Sequence, residues 1–542
     1  MARLRRTQEE VARLNDLLRR DHSLNGAILF GLDGHLVEIQ ARAMSVCKEP
    51  VSWRYGTKIT GMARGAVQES LDRISGAFGK LGYSTTDVEI LVNLVPADLT
   101  KEGTWLDLPL AVILLQAAGK LPDLPEHMEG DYLLFGEIGI HGEIRRVPGA
   151  LSLAFCARPG QRLIVPAGNE KECALILAKT GHEKCSIHPV GLLEEVVEFF
   201  SGKRTLENAL KQPIQFEHAV AKAPDIGVIR GQEQAKEAVC IAAAGGHNLL
   251  MIGPPGEGKS LLASAIPGIL PRLSDAEKVL LTKIHSACGS LEKDGVAVTR
   301  RPFRSVHHTV STQALVGGGS KVPRPGEITM AHLGVLFLDE IAEFSPATLD
   351  TLRQPIETGE VTISRVSWNL NYPCRFTLVA AMNPCPCGYY GTPKCRCREG
   401  EVKRYQKKVS GPIVDRIDLQ VTMQSLTTEE RFTTTDQTLS PKFRAKVEQA
   451  RSRQTKRFSS IDIPFNAAIP AGRVRDYCNF STDGFEMYKE TVASNTLTTR
   501  SMDRLAKVAR TVADLVDADQ VGPLHVVKAA KFVVGGMLRD NF

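Results

Sequence analysis

The sequence predicts an α/β protein of several domains whose central domain is built on a parallel sheet. Three observations carry this expectation. Leu249–Ile252 is an apolar run that breaks into a glycine-rich loop and enters a second apolar stretch, Leu261–Ile266, which reads as buried strand, turn and helix start. Gly334–Glu340 is another apolar run, ending in two carboxylates, as expected of a buried parallel strand delivering side chains at its C-terminal end. The chain of 542 residues is too long for one core, and a prior of about 150 residues per domain suggests three or four.

The composition, 43% hydrophobic and 24% charged with a net charge of +6, is that of an ordinary soluble protein. Such a charge permits a nucleic-acid partner without arguing for one. No apolar run approaches about 18 residues, so no transmembrane helix and no membrane partner are expected. Met1–His22 is basic at its start but carries Glu9, Glu10 and Asp16 where a signal peptide would be apolar. A cytoplasmic location follows, and the twelve cysteines are then thiols or metal ligands rather than disulfides.

The loop Gly253-Pro254-Pro255-Gly256-Glu257-Gly258-Lys259-Ser260 matches G-x-x-x-x-G-K-[ST]. Its glycines let backbone N–H groups converge on phosphate oxygens, and the positive end of the following helix adds to the field. Lys259 is placed to reach the β/γ-phosphates and Ser260 to bind Mg²⁺, so ATP and Mg²⁺ are the expected cofactors. A glycine-rich surface turn is the bland alternative, and both flanks argue against it.

Taken in order, residues 1–24 form a basic extension with Val11, Leu14, Leu17 and Leu18 at helical spacing. Residues 25–202 alternate short β-like runs with helical stretches, among them Ala27–Phe30, Leu36–Ala41, Ala66–Gly79, Val88–Val95 and Leu108–Ala118, which describes an α/β or α+β domain. Through Val92–Gly103, Asp107–Pro109 and Gly136–Gly149 this domain resembles the Lon-protease-like, S5-type α/β domain that heads magnesium-chelatase-like ATPases. A peptidase of that type needs a serine nucleophile and a lysine to deprotonate it. Here the turn continues Thr104-Trp105-Leu106-Asp107 and the later stretch reads Gly149-Ala-Leu-Ser-Leu153, so the catalytic dyad is expected to be missing and the domain to be a scaffold.

Residues 203–224 read as a linker. The central domain, 225–424, begins with Asp225–Gln232, which resembles the segment closing over adenine in AAA+ ATPases. Asp339 would hold Mg²⁺ and Glu340 would polarise the attacking water. Phe376–Asn383 is a third apolar strand ending in Asn383, which fits a sensor of the γ-phosphate or, more blandly, a strand-terminating turn. Gly411–Leu419 places Arg416 where AAA+ proteins present an arginine finger to a neighbouring subunit; an ion pair with Asp415 or Asp418 is the alternative. A trans-acting arginine implies a homo-oligomeric ring, a hexamer by resemblance.

Through Arg301–Thr309, Leu315–Gly319, Pro323–Ile328, Glu360–Arg365 and Ala381–Gly388 the chain resembles the ComM/YifB family of magnesium-chelatase-like AAA+ ATPases, from about residue 24 to 537. Thr104-Trp105 and Val306 depart from the commoner family residues and leave the ATPase positions untouched. The resemblance implies an AAA+ P-loop α/β/α core with a zinc-binding-like insertion and a C-terminal helical lid.

Cys385, Cys387, Cys395 and Cys397 form two paired-thiolate turns that suit tetrahedral structural zinc, with reduced thiols or a redox pair as alternatives. Around them lie Lys394, Arg396, Arg398, Lys403, Arg404, Lys407 and Lys408, interleaved with Tyr389, Tyr390 and Tyr405. Cations with aromatics suit single-stranded DNA, and a solvated basic loop explains them equally well. Hairpins that could line a pore are suggested near 317–324 and 361–371, with Lys321, Arg324 and Arg365 as their cations. His307 and His308, adjacent on an extended segment, should point to opposite faces.

Residues 425–542 are mostly helical, with Phe443–Lys456, Gly484–Ser494, Arg500–Val516 and Leu524–Leu538 as the main helices. Thr498 caps the third, which carries Leu505, Val508, Val512 and Leu515 on one stripe. Arg500 sits where the family has its second sensor, whereas Arg504 and Arg510 are expected in salt bridges. Three functions remain: an ATP-driven ring motor acting on single-stranded or branched DNA, for which the family implies branch migration during natural transformation; a chelatase-type motor remodelling a protein partner; and an ATP-dependent peptidase, disfavoured by the missing dyad.

Overall fold

Alternation with period two sets the first sheet. In Thr86–Val95 the residues Thr86, Val88, Ile90, Val92 and Leu94 are buried and their neighbours are not, the mark of a strand with one face on a core. The computed structural model describes residues 7–61, 65–123, 130–178, 181–209, 223–291, 297–319, 324–365, 368–409, 411–432, 436 and 438–534. They fall into two units: Met1–Glu217 with Lys278–Val298, and His218–Glu277 with Thr299–Phe542. The segment Lys278–Val298, which the sequence places inside the 225–424 domain, is thus grouped with the N-terminal unit.

In the first unit the strands are Asp21–Phe30 (β1), Asp33–Val51 (β2), Thr57–Thr60 (β3), Thr86–Val95 (β4), Tyr132–Leu134 (β5), Glu137–Ile138 (β6), Ile144–Arg145 (β7), Arg162–Pro166 (β8) and Ser186–Val190 (β9). Seven of them form one mixed sheet in the order β3-β4-β2-β1-β5-β8-β9, and β6 pairs with β7. The helix Asp107–Ala117 is buried on every face, as a helix apolar all round must be. Asp107 begins it, taking hydrogen bonds from Ser70 Oγ at 2.5 Å and Arg73 Nε at 2.9 Å. On the other side of the sheet Ser286 Oγ donates to Glu172 at 2.5 Å, and Ala287 and Ala297 pack on the cluster of Ala150, Leu153 and Ile187.

The second unit carries Leu249–Ile252 (β10), Phe303–Val306 (β11), Gly317–Gly318 (β12), Arg324–Pro325 (β13), Val335–Leu338 (β14), Glu360–Arg365 (β15), Trp368–Pro373 (β16), Thr377–Met382 (β17) and Leu419–Thr422 (β18). Five form an all-parallel sheet, β11-β14-β17-β10-β18. Every residue of β10, β14 and β17 is buried, which is why the sequence shows them as unbroken apolar runs. Two hairpins, β12/β13 and β15/β16, stand apart from this sheet. The C-terminal part is helical: Leu439–Arg457, Thr482–Ser494, Thr499–Leu515 and Pro523–Val533. The Thr498 hydroxyl accepts from Ser501 N, and Leu505, Val508 and Val512 are buried. Arg510 pairs with the buried Asp514 at 2.9 Å as expected. Arg504 forms no ion pair among the described residues; it donates to the Ile417 carbonyl at 2.8 Å, capping the turn before β18. No helix among the described residues is long and apolar enough to cross a membrane.

Candidate functional site

The parallel register brings three sequence-predicted groups to one edge of the sheet, because β10, β17 and β14 are neighbours and end together. Gly253 follows β10 with no room for a side chain: a Cβ there would stand 2.8 Å from the Met423 carbonyl. The loop then turns through positive φ at Gly256 and Gly258 and enters the helix Lys259–Ala265. Lys259 is 8% exposed, and its Nζ donates to the carbonyls of Gly253 at 2.7 Å and Pro254 at 2.8 Å. Burial pulls its ammonium below the usual lysine range, while Asp339, Glu257 and Glu340 hold it up.

Ser260 Oγ donates to Asp339 Oδ2 at 2.8 Å. Two adjacent ligands of an octahedral Mg²⁺, each about 2.1 Å from the ion, stand about 3.0 Å apart, so this oxygen pair fits the ion. Asn383, at the end of β17, accepts from Lys259 Nζ through Oδ1 at 3.3 Å. Glu340 follows Asp339 with φ of 52°, and His308 Nδ1 lies 3.7 Å from its Oε2. The two histidines do not point to opposite faces. Val310 N donates to the His307 carbonyl at 3.0 Å, so the chain turns after β11 and folds the rings onto each other, 4.0 Å between centroids.

Arg416 and Arg500 lie together: each places Nη2 on Glu357 Oε1, at 2.8 Å and 2.5 Å. The ion pair that Arg416 forms is with Glu357, and the Asp418 carboxylate accepts from Asn248 N at 3.0 Å. Asn248 also donates through Nδ2 to the Arg416 carbonyl at 2.9 Å and accepts Leu378 N at 2.9 Å.

The four cysteines of the insertion converge. Their ligand atoms all lie within 4.8 Å of one another. Sγ–Sγ separations are 3.4 Å for Cys385–Cys387, 3.9 Å for Cys385–Cys395 and 3.7 Å for Cys387–Cys395. Tetrahedral zinc with bonds of about 2.3 Å requires about 3.8 Å, so the set fits that ion. Backbone N–H groups of Arg396 and Tyr389 lower the Cys387 thiol, whereas burial and the neighbouring sulfurs of Cys387 and Cys385 raise those of Cys395 and Cys397, so the fit to a metal rests on the sulfur spacing. Gly388 has φ of 84°, and a Cβ there would stand 2.8 Å from Pro255 Cδ, so the insertion rests against the phosphate loop.

Of the aromatic and basic residues around the cysteines, Tyr405 is 6% exposed and burial pushes its phenol up to about 12. It belongs to the core beneath the insertion and offers no stacking face. Tyr390 is exposed, as are Lys394, Arg396, Arg398, Arg404 and Lys407; Lys403 pairs with Glu399 and Lys408 with Glu343. Both suspected hairpins form. Arg324 is exposed, while Lys321 and the Arg365 side chain lie outside the described residues.

Comparison with known proteins places this geometry. The family described as magnesium chelatase, subunit ChlI, matches residues 225–431; subunit ChlI of Mg-chelatase matches 52–169, and its C-terminal family matches 437–532. The YifB protein of Salmonella typhimurium is 40% identical over 489 residues, 88% of this chain and 91% of that one. Competence protein ComM of Haemophilus influenzae is 35% identical over 497 residues, 91% of this chain and 94% of that one. The chain belongs to the ComM/YifB family of magnesium-chelatase-like proteins. The magnesium-chelatase 38 kDa subunit of Cereibacter sphaeroides is 26% identical over 171 residues, 29% of this chain and 51% of that one.

In this ComM/YifB chain the sequence reading missed Glu357, which gathers the two arginines, and Asn248, which bridges three segments. Glu357 sits on the short helix Arg353–Thr358 with no motif around it. Asn248 had a signal, being a polar residue directly before a fully buried strand. In the first unit, Thr104 Oγ1 donates to Glu137 at 2.6 Å and Ser152 Oγ to the Leu32 carbonyl at 2.6 Å.

Proposed function

We propose that this protein is an ATP-hydrolysing AAA+ ring motor acting on DNA. The observation that carries the ATPase half is the Ser260–Asp339 contact at 2.8 Å beside Lys259 and Asn383: a hydroxyl, a carboxylate, a cation and an amide from three adjacent strands meet at one sheet edge, as phosphoryl transfer requires. Bound Mg²⁺, held by Ser260 and Asp339, would neutralise phosphate charge. Lys259 would exchange its loop carbonyls for β/γ-phosphate oxygens, and Asn383 would orient the water. Glu340 would take the proton as the water oxygen bonds to the γ-phosphorus and the bond to the β-phosphate oxygen breaks, giving ADP and phosphate. Arg416 and Arg500, joined at Glu357, would serve a single nucleotide bound by the neighbouring subunit, which makes the ring, a hexamer, a condition of turnover.

The DNA half rests on the exposed cations Lys394, Arg396, Arg398, Arg404 and Lys407, the exposed Tyr390, and the similarity to a competence protein. Branch migration during integration of incoming strands is the activity these support. Zinc held by Cys385, Cys387, Cys395 and Cys397 would pin the insertion without taking part in chemistry, since four thiolates leave no open position. Thr104 and Ser152 each donate to a neighbouring carboxylate or carbonyl, which supports a scaffold rather than a peptidase for the N-terminal domain. The decisive experiment is migration of a synthetic four-way junction by wild type and Glu340→Gln; ATP hydrolysis that leaves every branched substrate unchanged rejects the motor on DNA. The partial match to a magnesium-chelatase subunit favours a second reading, a motor remodelling a protein partner, which that same outcome would promote.

A further inference from the structure

β11 and β14 run in parallel with Val306 paired to Leu338. The residues after each strand therefore leave the sheet side by side, His307 and His308 from one and Asp339 and Glu340 from the other. This register delivers the His308 ring to the Glu340 carboxylate, with Nδ1 3.7 Å from Oε2. Nδ1 is shut off from solvent and has no hydrogen-bond partner among the described residues. The ring is held on two sides, tilted by 36° against His307 with 4.0 Å between centroids and edge-on to Phe344 at 6.5 Å. His307 is itself tied to Thr309 Oγ1 at 3.0 Å. The Glu340 side chain, by contrast, is 53% exposed and can swing.

A buried ring nitrogen without a partner is unfavourable unless another state supplies one. The distance of 3.7 Å exceeds a hydrogen bond by about 0.8 Å, which a small rotation of the carboxylate closes. A carboxylate that must hold one water works best when its other oxygen is already fixed, because orientation is then not lost on every turnover.

We propose that His308 is a positioning residue for hydrolysis: with nucleotide bound, its Nδ1–H donates to one oxygen of Glu340 and leaves the other for the attacking water. This rests on Glu340 being the group that polarises that water.

The test uses the full-length protein and measures ATP turnover together with binding of a fluorescent ATP analogue for wild type, H308A, H308N, H308Q and E340Q. Asparagine places its amide nitrogen where histidine has Nδ1, whereas glutamine places it where histidine has Nε2. H308A is expected to lower kcat about 10- to 100-fold, the worth of a hydrogen bond to a charged group. Its KM should stay within about 2-fold, since the contact serves the chemical step. H308N should recover most of the rate, H308Q should stay near H308A, and all should bind the analogue as wild type does. Full turnover in H308A, a loss confined to KM, or H308N no better than H308A overturns the proposal. E340Q separates the two readings: if it binds without turnover while H308A runs at full rate, only the His308 role falls; if E340Q turns over normally, the role of Glu340 falls and that of His308 with it.

Discussion

Arg416 and Arg500 share one carboxylate oxygen, Glu357 Oε1, at 2.8 Å and 2.5 Å. Two guanidinium groups on one carboxylate leave a net positive charge, and an anion such as a γ-phosphate completes the set. Arg416→Ala is expected to fold and bind ATP while losing about 1,000-fold or more in turnover, the scale of an arginine acting on phosphoryl transfer. Mixing that variant with Lys259→Ala subunits should restore partial activity, since each supplies what the other lacks. Steady-state ATPase rates across mixing ratios check this, and no recovery at any ratio contradicts action between subunits.

Lys259 and Glu340 should fail differently. Lys259→Ala removes the cation that bridges Gly253, Pro254 and Asn383 and is expected to lose nucleotide binding or turnover. Glu340→Gln keeps shape and loses the base, so ATP should bind and persist. Calorimetric titration with ATP, followed by product analysis, distinguishes the two.

His332 gives a pH prediction. It is 5% exposed, its Nδ1 accepts from Arg375 N at 3.0 Å, and burial, with Arg375 and Arg301 nearby, lowers its pKa from 6.5 to about 4. The folded state therefore binds fewer protons than the unfolded state below pH 6.5. Stability from this group is present above that pH and is lost as pH falls toward 4, by up to about 3 kcal/mol. His332→Asn should flatten that part of the curve; urea unfolding of both proteins at pH 4.5 and 7.5 measures the difference.

Metal content tests the cysteine cluster. Protein purified without chelator should carry one zinc per chain, and Cys395→Ser should lower it. Because Gly388 abuts Pro255, chelation is expected to depress ATP binding as well as the melting temperature. Metal analysis with no zinc removes the assignment.

Much of the second unit was legible because its strands are buried on both faces and so stand out as apolar runs: Leu249–Ile252, Val335–Leu338 and Thr377–Met382 are each a strand where the sequence shows such a run. The stripe of the helix Thr499–Leu515 was equally plain. What local pattern could not show was long-range. Lys278–Val298 groups with residues far away in sequence, Ser286 with Glu172 for example. Arg504 met backbone carbonyls rather than a carboxylate. The alternation rule misplaced His308 because the chain turns directly after β11. Glu357 carried no signal at all, its role being set by which two arginines the fold brings to it.

Asn248 holds the start of β10, the amide of Leu378 in β17 and the carbonyl of Arg416. One amide thereby clamps the strand feeding the phosphate loop to the turn bearing Arg416. In a ring, the end that grips a subunit's own nucleotide and the end that reaches for its neighbour's would move as one stiff piece. A change at one site would then pass around the ring by tilting whole subunits rather than by bending them.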